Sequence, residues 1–569
     1  MRDRRSFRRE VRGDVATLWL DTKGARVNIF SVAAADELMS HLGELAVSPV
    51  SAVVIRSEKP RSFVNGVGLM LANTVKSEQD ADRLTLPVRA AYRALREFPK
   101  PTIAMVDGSC FGCGVELTLH CHHRVATDAV DTEFYMTEIA DYLFVPVFGS
   151  TYELPRRVGL AHAVDLLLWG ERWDAAKAFE GGLVDEVVPS DAIDPALDRF
   201  VASVVRAPAA RVPKPERDVD AIVAEAAARI ETLAPDHRPA YSECLALLER
   251  SARHLDDERT AGEAERLACG RSAMRPVSKA AQGFFFVREI ADRLSRGRTA
   301  SVPDALVIRG PEWLESRCPR GRSGRFELRV GASADPARAL VIASEHDPDA
   351  SVTLVDVRPA APIAWRTPTL ARVHLGARGR PFFEVASLDA SAEPVHAALE
   401  RAGLPSIRTT PSGRFVSDRL IDAFADPILA RLRGGAAPTD VARSLRDLGF
   451  TAFPRRSMAE KAAELLPALA PVNGEGSTDP IASAVVLSLV GAALASLRER
   501  TIGHVACVDV MVTELLGFSV GRGGLCRFAT VPRIADLLAS GAAVLELAAP
   551  ELIAHAEEYV RHGQPFYRS

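Results

Sequence analysis

From Val11 to about Pro189, short β-branched runs (VATLWLD, SAVVIRS, PTIAMVDG) alternate with helical patterns such as AADELMSHLGELA. Apolar runs of strand length, each followed by a stretch of helical period, are the signature of repeated strand–helix units, so this part predicts an α/β layer. A chain of 569 residues is too long for one core and should divide into several domains. The texture changes accordingly. Residues 191–298 are rich in Ala, Arg and Glu and read as long linking helices. Strand-like runs with Gly- and Pro-rich turns return over 302–410 (DALVIRG, RALVIAS, SVTLVDVR). Two helical blocks follow, over 411–470 and 480–569. RLIDAFADPILARLRGGAAPTDVARSLRDLGF can be laid over VVLSLVGAALASLRERTIGHVACVDVMVTELLGF, and each ends in Gly-Phe, so the blocks read as a repeat.

Composition narrows the partners. With 47% hydrophobic and 25% charged residues and a net charge of -4, the chain lacks the basic excess that a nucleic-acid surface needs. The Arg-rich start MRDRRSFRREVRGD has no apolar segment behind it, and no uninterrupted run of eighteen apolar residues occurs. The expectation is a cytoplasmic protein with no membrane span. Eight cysteines scattered over this length are not a disulfide framework and suit a reducing compartment.

Residues 110–124, CFGCGVELTLHCHHR, gather three of those cysteines with three histidines. Cys110 and Cys113 have the two-residue gap of a zinc knuckle, but a structural zinc site draws its second ligand pair from a separate segment. Here every candidate lies in one short stretch, and His120 and His123 could share a helix face while His122 and Cys121 point elsewhere. The reading is therefore no metal.

With its flanks, the stretch reads as an apolar strand, a Gly-containing turn and a helix: KPTIAMVDGSCFGCGVELTLHCHHRVATDA. This resembles the crotonase (enoyl-CoA hydratase/isomerase) superfamily, and RVNIFSVAAADEL, RSFVNGVGL, FGSTYELPRRVG and GERWDAAKAFEGGLVDEVVP follow in that family's order over roughly 180 residues. The resemblance implies a ββα-spiral fold and an acyl-CoA thioester substrate. It also implies an oxyanion hole formed by the backbone N–H groups of Val67 and Cys113, the latter standing where the family usually has glycine. Fixed N–H donors suit the negative charge that develops on a thioester oxygen. The family's two catalytic carboxylates fall on Glu116 and Glu138. An insertion around Asp131 lengthens the segment between them; if the loop does not absorb it, Glu133 or no residue takes the second role.

The C-terminal half resembles a 3-hydroxyacyl-CoA dehydrogenase through ARVHLGARGRPFFEVA, SGRFVSDRLIDAFADPILARLRGG, LLGFSVGRGGLCRF and HGQPFY. The whole chain thus resembles the multifunctional α-subunits of fatty-acid β-oxidation complexes. His374 and Glu384 resemble that dehydrogenase's His–Glu pair, with shorter spacing and Ala377 where an asparagine is expected. A dinucleotide domain needs a glycine-rich turn from strand to helix. In its place stands ALVIRGPEWLESRCPRGRSG, so 302–410 reads as a degenerate, truncated Rossmann-like segment that does not bind NAD.

These readings combine into an enoyl-CoA hydratase-type lyase with a dehydrogenase-like half that is structural or regulatory. Two alternatives stay open: double-bond isomerisation or thioester hydrolysis on the same fold, and a non-catalytic scaffold for a thiolase-like subunit. A homo-oligomer is a further possible assembly.

Overall fold

The computed structural model describes residues 6–67, 75–206, 218–254, 258–296, 305–318, 321–323, 326–330, 339–343, 352–355, 369–375, 380–387, 392–410, 414–450 and 480–529. The chain forms two compact units, one comprising Met1–Ile230, His237–Lys279 and Gly321–Arg325, the other Glu231–Asp236, Ala280–Arg320 and Phe326–Ser569. The closing motif HGQPFY and Ala377 lie outside the described residues.

The first unit is built on two sheets. Phe7–Arg12, Val15–Leu20, Ala52–Ser57, Thr102–Val106, His123–Thr127 and Glu186–Val188 lie in that order, the first pair antiparallel and the rest parallel. The smaller sheet runs Ser62–Asn65, Ser109–Phe111, Glu133–Tyr135, Trp173–Asp174. The chain therefore visits the large sheet, then the small one, then a helix, and repeats: Ala52–Ser57, Ser62–Asn65 and Glu78–Arg96 make one such turn, and Thr102–Val106, Ser109–Phe111 and Cys113–His120 the next. Thr102–Val106 and His123–Thr127 are buried at every position, as parallel strands covered on both faces must be.

The helices expected to link over 191–298 belong to this unit as far as Lys279. Ile193–Arg206 lays Ala196, Leu197, Phe200, Val201 and Val204 on the large sheet. Arg238–Arg253 and Glu258–Ala273 each carry a buried face, including Tyr241, Cys244, Leu248, Ala261, Ala268 and Cys269. Apolar faces of this size need a partner, and here they find one in the other helices of the same unit.

In the second unit the strands run Phe326–Val330, Ala305–Ile308, Ala339–Ala343, Val352–Val355, Thr369–Leu375, Pro381–Ser387, Ser406–Thr409. The pairing is parallel except between Thr369–Leu375 and Pro381–Ser387. Two helix pairs follow. Val416–Arg433 and Pro438–Leu448 end at Gly449 (φ 116°), while Ile481–Arg498 and Val505–Leu516 end at Gly517 (φ 67°). Both glycines take the left-handed conformation that closes a helix without a Cβ penalty. The phenylalanines after them meet: Phe450 and Phe518 form an antiparallel bridge with ring centroids 5.0 Å apart. Ile481–Arg498 is long and apolar enough to cross a membrane by length and composition, although Ser483, Ser488 and Ser496 leave it no uninterrupted apolar run. It packs against Val416–Arg433, with 72% of its length buried inside the protein.

Candidate active site

The site begins with two turns. Ser62–Asn65 and Ser109–Phe111 pair in parallel, with Asn65 opposite Phe111. Each strand is followed by a glycine of positive φ, Gly66 at 86° and Gly112 at 52°. Val67 and Cys113 each stand two residues beyond the Asn65–Phe111 pair, so the two segments leave adjacent strand ends in register. Cys113 opens the helix Cys113–His120, where first-turn N–H groups have no acceptor within the helix. A Cβ on Gly114 would lie 2.3 Å from the Val64 carbonyl oxygen, so only glycine lets this helix start so close to the strand that leads to Val67. Asn28, fully buried, braces the first turn. Its amide donates to the Leu20 and Phe63 carbonyls at 3.1 and 3.0 Å, and its own carbonyl accepts from Asn65 N–H at 2.8 Å.

Glu116 and Glu138 come together beside the second turn. Glu138 opens the helix Glu138–Tyr142, and its Oε1 lies so near Gly112 that a Cβ there would be 2.4 Å away. Glu116 Oε1 accepts from Phe148 N–H (2.9 Å), Ser150 N–H (3.3 Å) and Ser150 Oγ (3.0 Å). The Oε2 atoms of both residues are buried without a hydrogen-bond partner. Burial is the largest influence on each carboxyl. It pushes Glu138 up to about 7 against the hydrogen bonds of its own and Thr137's backbone. It raises Glu116 well above the ordinary carboxylate range, with the charges of Glu138 and Glu265 adding to the effect. A pair so placed titrates as a unit, and a proton shared between two carboxyls equips it with an acid and a base at once. The Cys113 thiol is also pushed up, by burial and then by Glu116 and Glu138, so it is a neutral side chain beside the turn.

Asp131 and Thr132 lie in the turn between His123–Thr127 and Glu133–Tyr135. Asp131 lies 3.5 Å from Arg61, and Thr132 Oγ1 accepts from Gly108 N–H at 2.9 Å. Glu133 is held elsewhere, its carboxylate 2.6 Å from Arg172, whose guanidinium lies 3.8 Å over the Tyr135 ring. It is therefore Glu138, and not Glu133, that faces Glu116.

The Cys- and His-rich run is divided among a strand, a helix and a second strand. His120 Nδ1 sits 2.9 Å from the Glu116 carbonyl, and His122 Nδ1 accepts from Thr102 N–H at 3.0 Å. Arg124, fully buried, donates to the Thr118 and Cys121 carbonyls and so closes the end of Cys113–His120. Among the described residues no three His, Cys, Asp or Glu side chains gather as metal ligands would.

One carboxylate was missed from the sequence. Glu265, fully buried in Glu258–Ala273, accepts from Gly149 N–H at 2.7 Å and from Thr151 N–H at 2.9 Å. AGEAERLACG looks like any amphipathic helix, yet Glu265 lies among Ala261, Gly262, Ala268 and Cys269 on its buried face. A glutamate in the middle of a small-residue face was the available signal.

In the second unit, His374 and Glu384 occupy neighbouring antiparallel strands, where Arg372 pairs with Glu384 and His374 with Phe382. Glu384 accepts from Thr409 Oγ1 (2.9 Å), Val416 N–H (2.8 Å) and Ser417 N–H (2.9 Å), and so caps the helix Val416–Arg433. Burial, and then Arg372, push His374 well below the ordinary imidazole range. Glu384 thus serves as a helix cap, with His374 a buried imidazole on the neighbouring strand.

Residues 12–230 match the enoyl-CoA hydratase/isomerase family. Over 176 residues the chain is 35% identical to the fatty acid oxidation complex subunit alpha of Shewanella loihica, covering 31% of this chain and 25% of that protein. Over 177 residues it is 34% identical to the subunit of the same name in Vibrio campbellii, again covering 31% and 25%. The match thus spans about a quarter of the length of these relatives. A solved enoyl-CoA hydratase from Bacillus halodurans superposes with a TM-score of 0.38 and 16% identity, covering 49% of this chain and 99% of that one. Residues 12–230 are accordingly a domain of the enoyl-CoA hydratase/isomerase family, in the crotonase superfamily.

Proposed function

We propose that the first unit hydrates trans-2-enoyl-CoA. The observation that carries this reading is the pair Glu116 and Glu138, both buried, both raised, each with one oxygen unengaged. Hydration needs a base to take a proton from water as its oxygen bonds to Cβ, and an acid to protonate Cα. A carboxyl pair holding one proton meets both needs. Between these steps negative charge rests on the thioester oxygen, where the N–H groups of Val67 and Cys113 act as fixed donors. Water-free surroundings strengthen such donors, because the local dielectric is low.

The second unit is proposed to work without NAD. Pyrophosphate in a dinucleotide fold rests on the N–H groups of the turn after the first strand. Here Gly310 N–H donates to Glu315 Oε1 at 3.0 Å, Pro311 has no N–H, and the helix that follows is only Glu312–Glu315. The eight buried, unbridged cysteines support a reducing, cytoplasmic location.

Turnover of crotonyl-CoA tests the reading. Hydration bleaches the enoyl-thioester absorbance, hydrolysis releases a free thiol, and a scaffold does neither. Conversion of a 3-enoyl-CoA to its 2-enoyl isomer without net hydration would make the domain an isomerase.

A further inference from the structure

Four successive amides open the helix Ser150–Val158, and they are shared alternately by two carboxylates. Phe148 and Ser150 N–H donate to Glu116, while Gly149 and Thr151 N–H donate to Glu265. The hydroxyls repeat the division: Ser150 Oγ donates to Glu116 at 3.0 Å and Thr151 Oγ1 to Glu265 at 2.5 Å. Such amides are ordinarily orphan donors at the positive end of a helix, and a carboxylate there is both bonded and favoured by the dipole. Glu265 comes from Glu258–Ala273, outside the segment that matches the family. It is locked in place by Arg89, which donates to the Val147 carbonyl (2.6 Å) and the Gly262 carbonyl (2.9 Å) and stands 3.8 Å from the Glu265 carboxylate.

We propose that Glu265 is a positioning residue of the enoyl-CoA site: it fixes the amide end that orients Glu116 and sets a second negative charge beside it. This rests on the hydratase reading above. Without Glu265, the Gly149 and Thr151 amides lose their acceptors, and the turn bearing the Phe148 and Ser150 amides is free to shift. Glu116 would then no longer present Oε2 in one direction. The charge matters separately, since Glu265 is one of the groups that keep Glu116 from ionising. Among the described residues, the ionisable groups around Glu265 and the turn it holds include Arg89, Glu116, Tyr152, Cys244, Cys269 and His120, whose ring would lie 2.7 Å from a Cβ on Gly149. Burial raises the phenol and both thiols, which stay neutral, and it also raises the Glu265 carboxyl, against which the Arg89 charge and the Thr151 and Gly149 hydrogen bonds favour the ionised form.

The experiment compares wild type, Glu265→Gln and Arg89→Gln in two ways: steady-state kinetics on crotonyl-CoA across pH, and infrared titration of the Glu116 carboxyl, assigned by its loss in Glu116→Gln. Glu265→Gln should lower kcat on the order of tenfold with KM changed by less than about twofold, as misorientation of a reacting group does. It should also move the Glu116 titration to lower pH, because a neighbouring negative charge is gone. Arg89→Gln removes the charge that lowers the Glu265 carboxyl and should move the titration of Glu265, assigned by its loss in Glu265→Gln, to higher pH. An unchanged Glu116 titration in Glu265→Gln overturns the proposal. Should Glu265→Gln not fold, Thr151→Val, which removes only the hydroxyl bond to Glu265, should lower kcat with KM little changed, and wild-type kcat in it overturns the proposal. If wild type turns over no enoyl-CoA, the hydratase reading fails, while the infrared titrations still decide the placement of Glu265.

Discussion

Two strand–turn–helix junctions, one in each unit, invite comparison. After Ser109–Phe111 the chain passes Gly112 into an eight-residue helix, and the acid of that helix, Glu116, is turned toward amides of another segment. After Ala305–Ile308 the chain passes Gly310 into a four-residue helix, and one of its two acids, Glu315, folds back onto Gly310 N–H. Both have a glycine where strand becomes helix. What separates them is where the acid carried by the following helix finds its donors. A turn keeps its N–H groups for a ligand's oxygen only when its own acids are engaged elsewhere, and in the first unit the helix Ser150–Val158 provides that engagement.

The largest effect expected on this contrast is at the carboxyl pair. Glu116→Gln and Glu138→Gln should each lower kcat by roughly a hundredfold to ten-thousandfold with the fold intact, the range for general acid–base groups. Glu133→Gln should stay near wild type, because its partner is Arg172. A silent Glu138→Gln beside a damaged Glu133→Gln would place the second carboxylate wrongly.

That assignment shows what the sequence could carry. The long strands and the helix Val32–Ala46 were legible because apolar periodicity has room to repeat in them. The small sheet was not, since Ser109–Phe111 and Glu133–Tyr135 are three residues each and read as turns. Glu116 and Glu138 were singled out through a motif, whereas the ion pair that sets Glu133 apart from them joins it to Arg172, 39 positions away. Glu265 was beyond reach for another reason. Its role is set by amides 114 to 116 positions away, and nothing local marks a long-range acceptor.

Next in size is a stability effect that runs opposite to activity. Glu138 is held up at about 7 from its ordinary 4.5. A raised carboxyl contributes stability that is fully present below 4.5 and is lost as pH rises through about 7. Glu138→Gln cannot ionise, so it should be more stable than wild type above about pH 7, by on the order of 3 kcal/mol at most, and nearly equal to it at about pH 5. Urea unfolding at both pH values measures this, and an equal difference at both would remove the ionisation argument.

Gly112→Ala attacks the first turn itself. The backbone there has φ 52° and ψ -118°, and the new Cβ would meet Glu138 Oε1 at 2.4 Å. Strain on the order of 2 kcal/mol is expected, together with displacement of Glu138 and loss of most hydration. Wild-type kcat in this variant would mean that Gly112 does not set the place of Glu138.

The smallest expected effect is none, and it tests the other junction. Glu315→Gln leaves an acceptor near Gly310 N–H but removes the charge that occupies the turn, so it tests whether that charge is what bars a nucleotide. The nucleotide should still not bind. Pro311 still supplies no N–H, and a Cβ at Gly310 would already crowd Leu314 and Leu354 at 2.9 and 3.1 Å, so a pyrophosphate has little space to approach the backbone. A four-residue helix also contributes little aligned dipole to hold it. Neither wild type nor Glu315→Gln should release heat on titration with NAD or form NADH from 3-hydroxybutyryl-CoA. Hydride transfer needs an acceptor held against the substrate, whatever His374 and Glu384 do. Micromolar NAD affinity in wild type would show that the second junction is no counter-example to the first, and in Glu315→Gln alone it would show that one carboxylate is all that divides them.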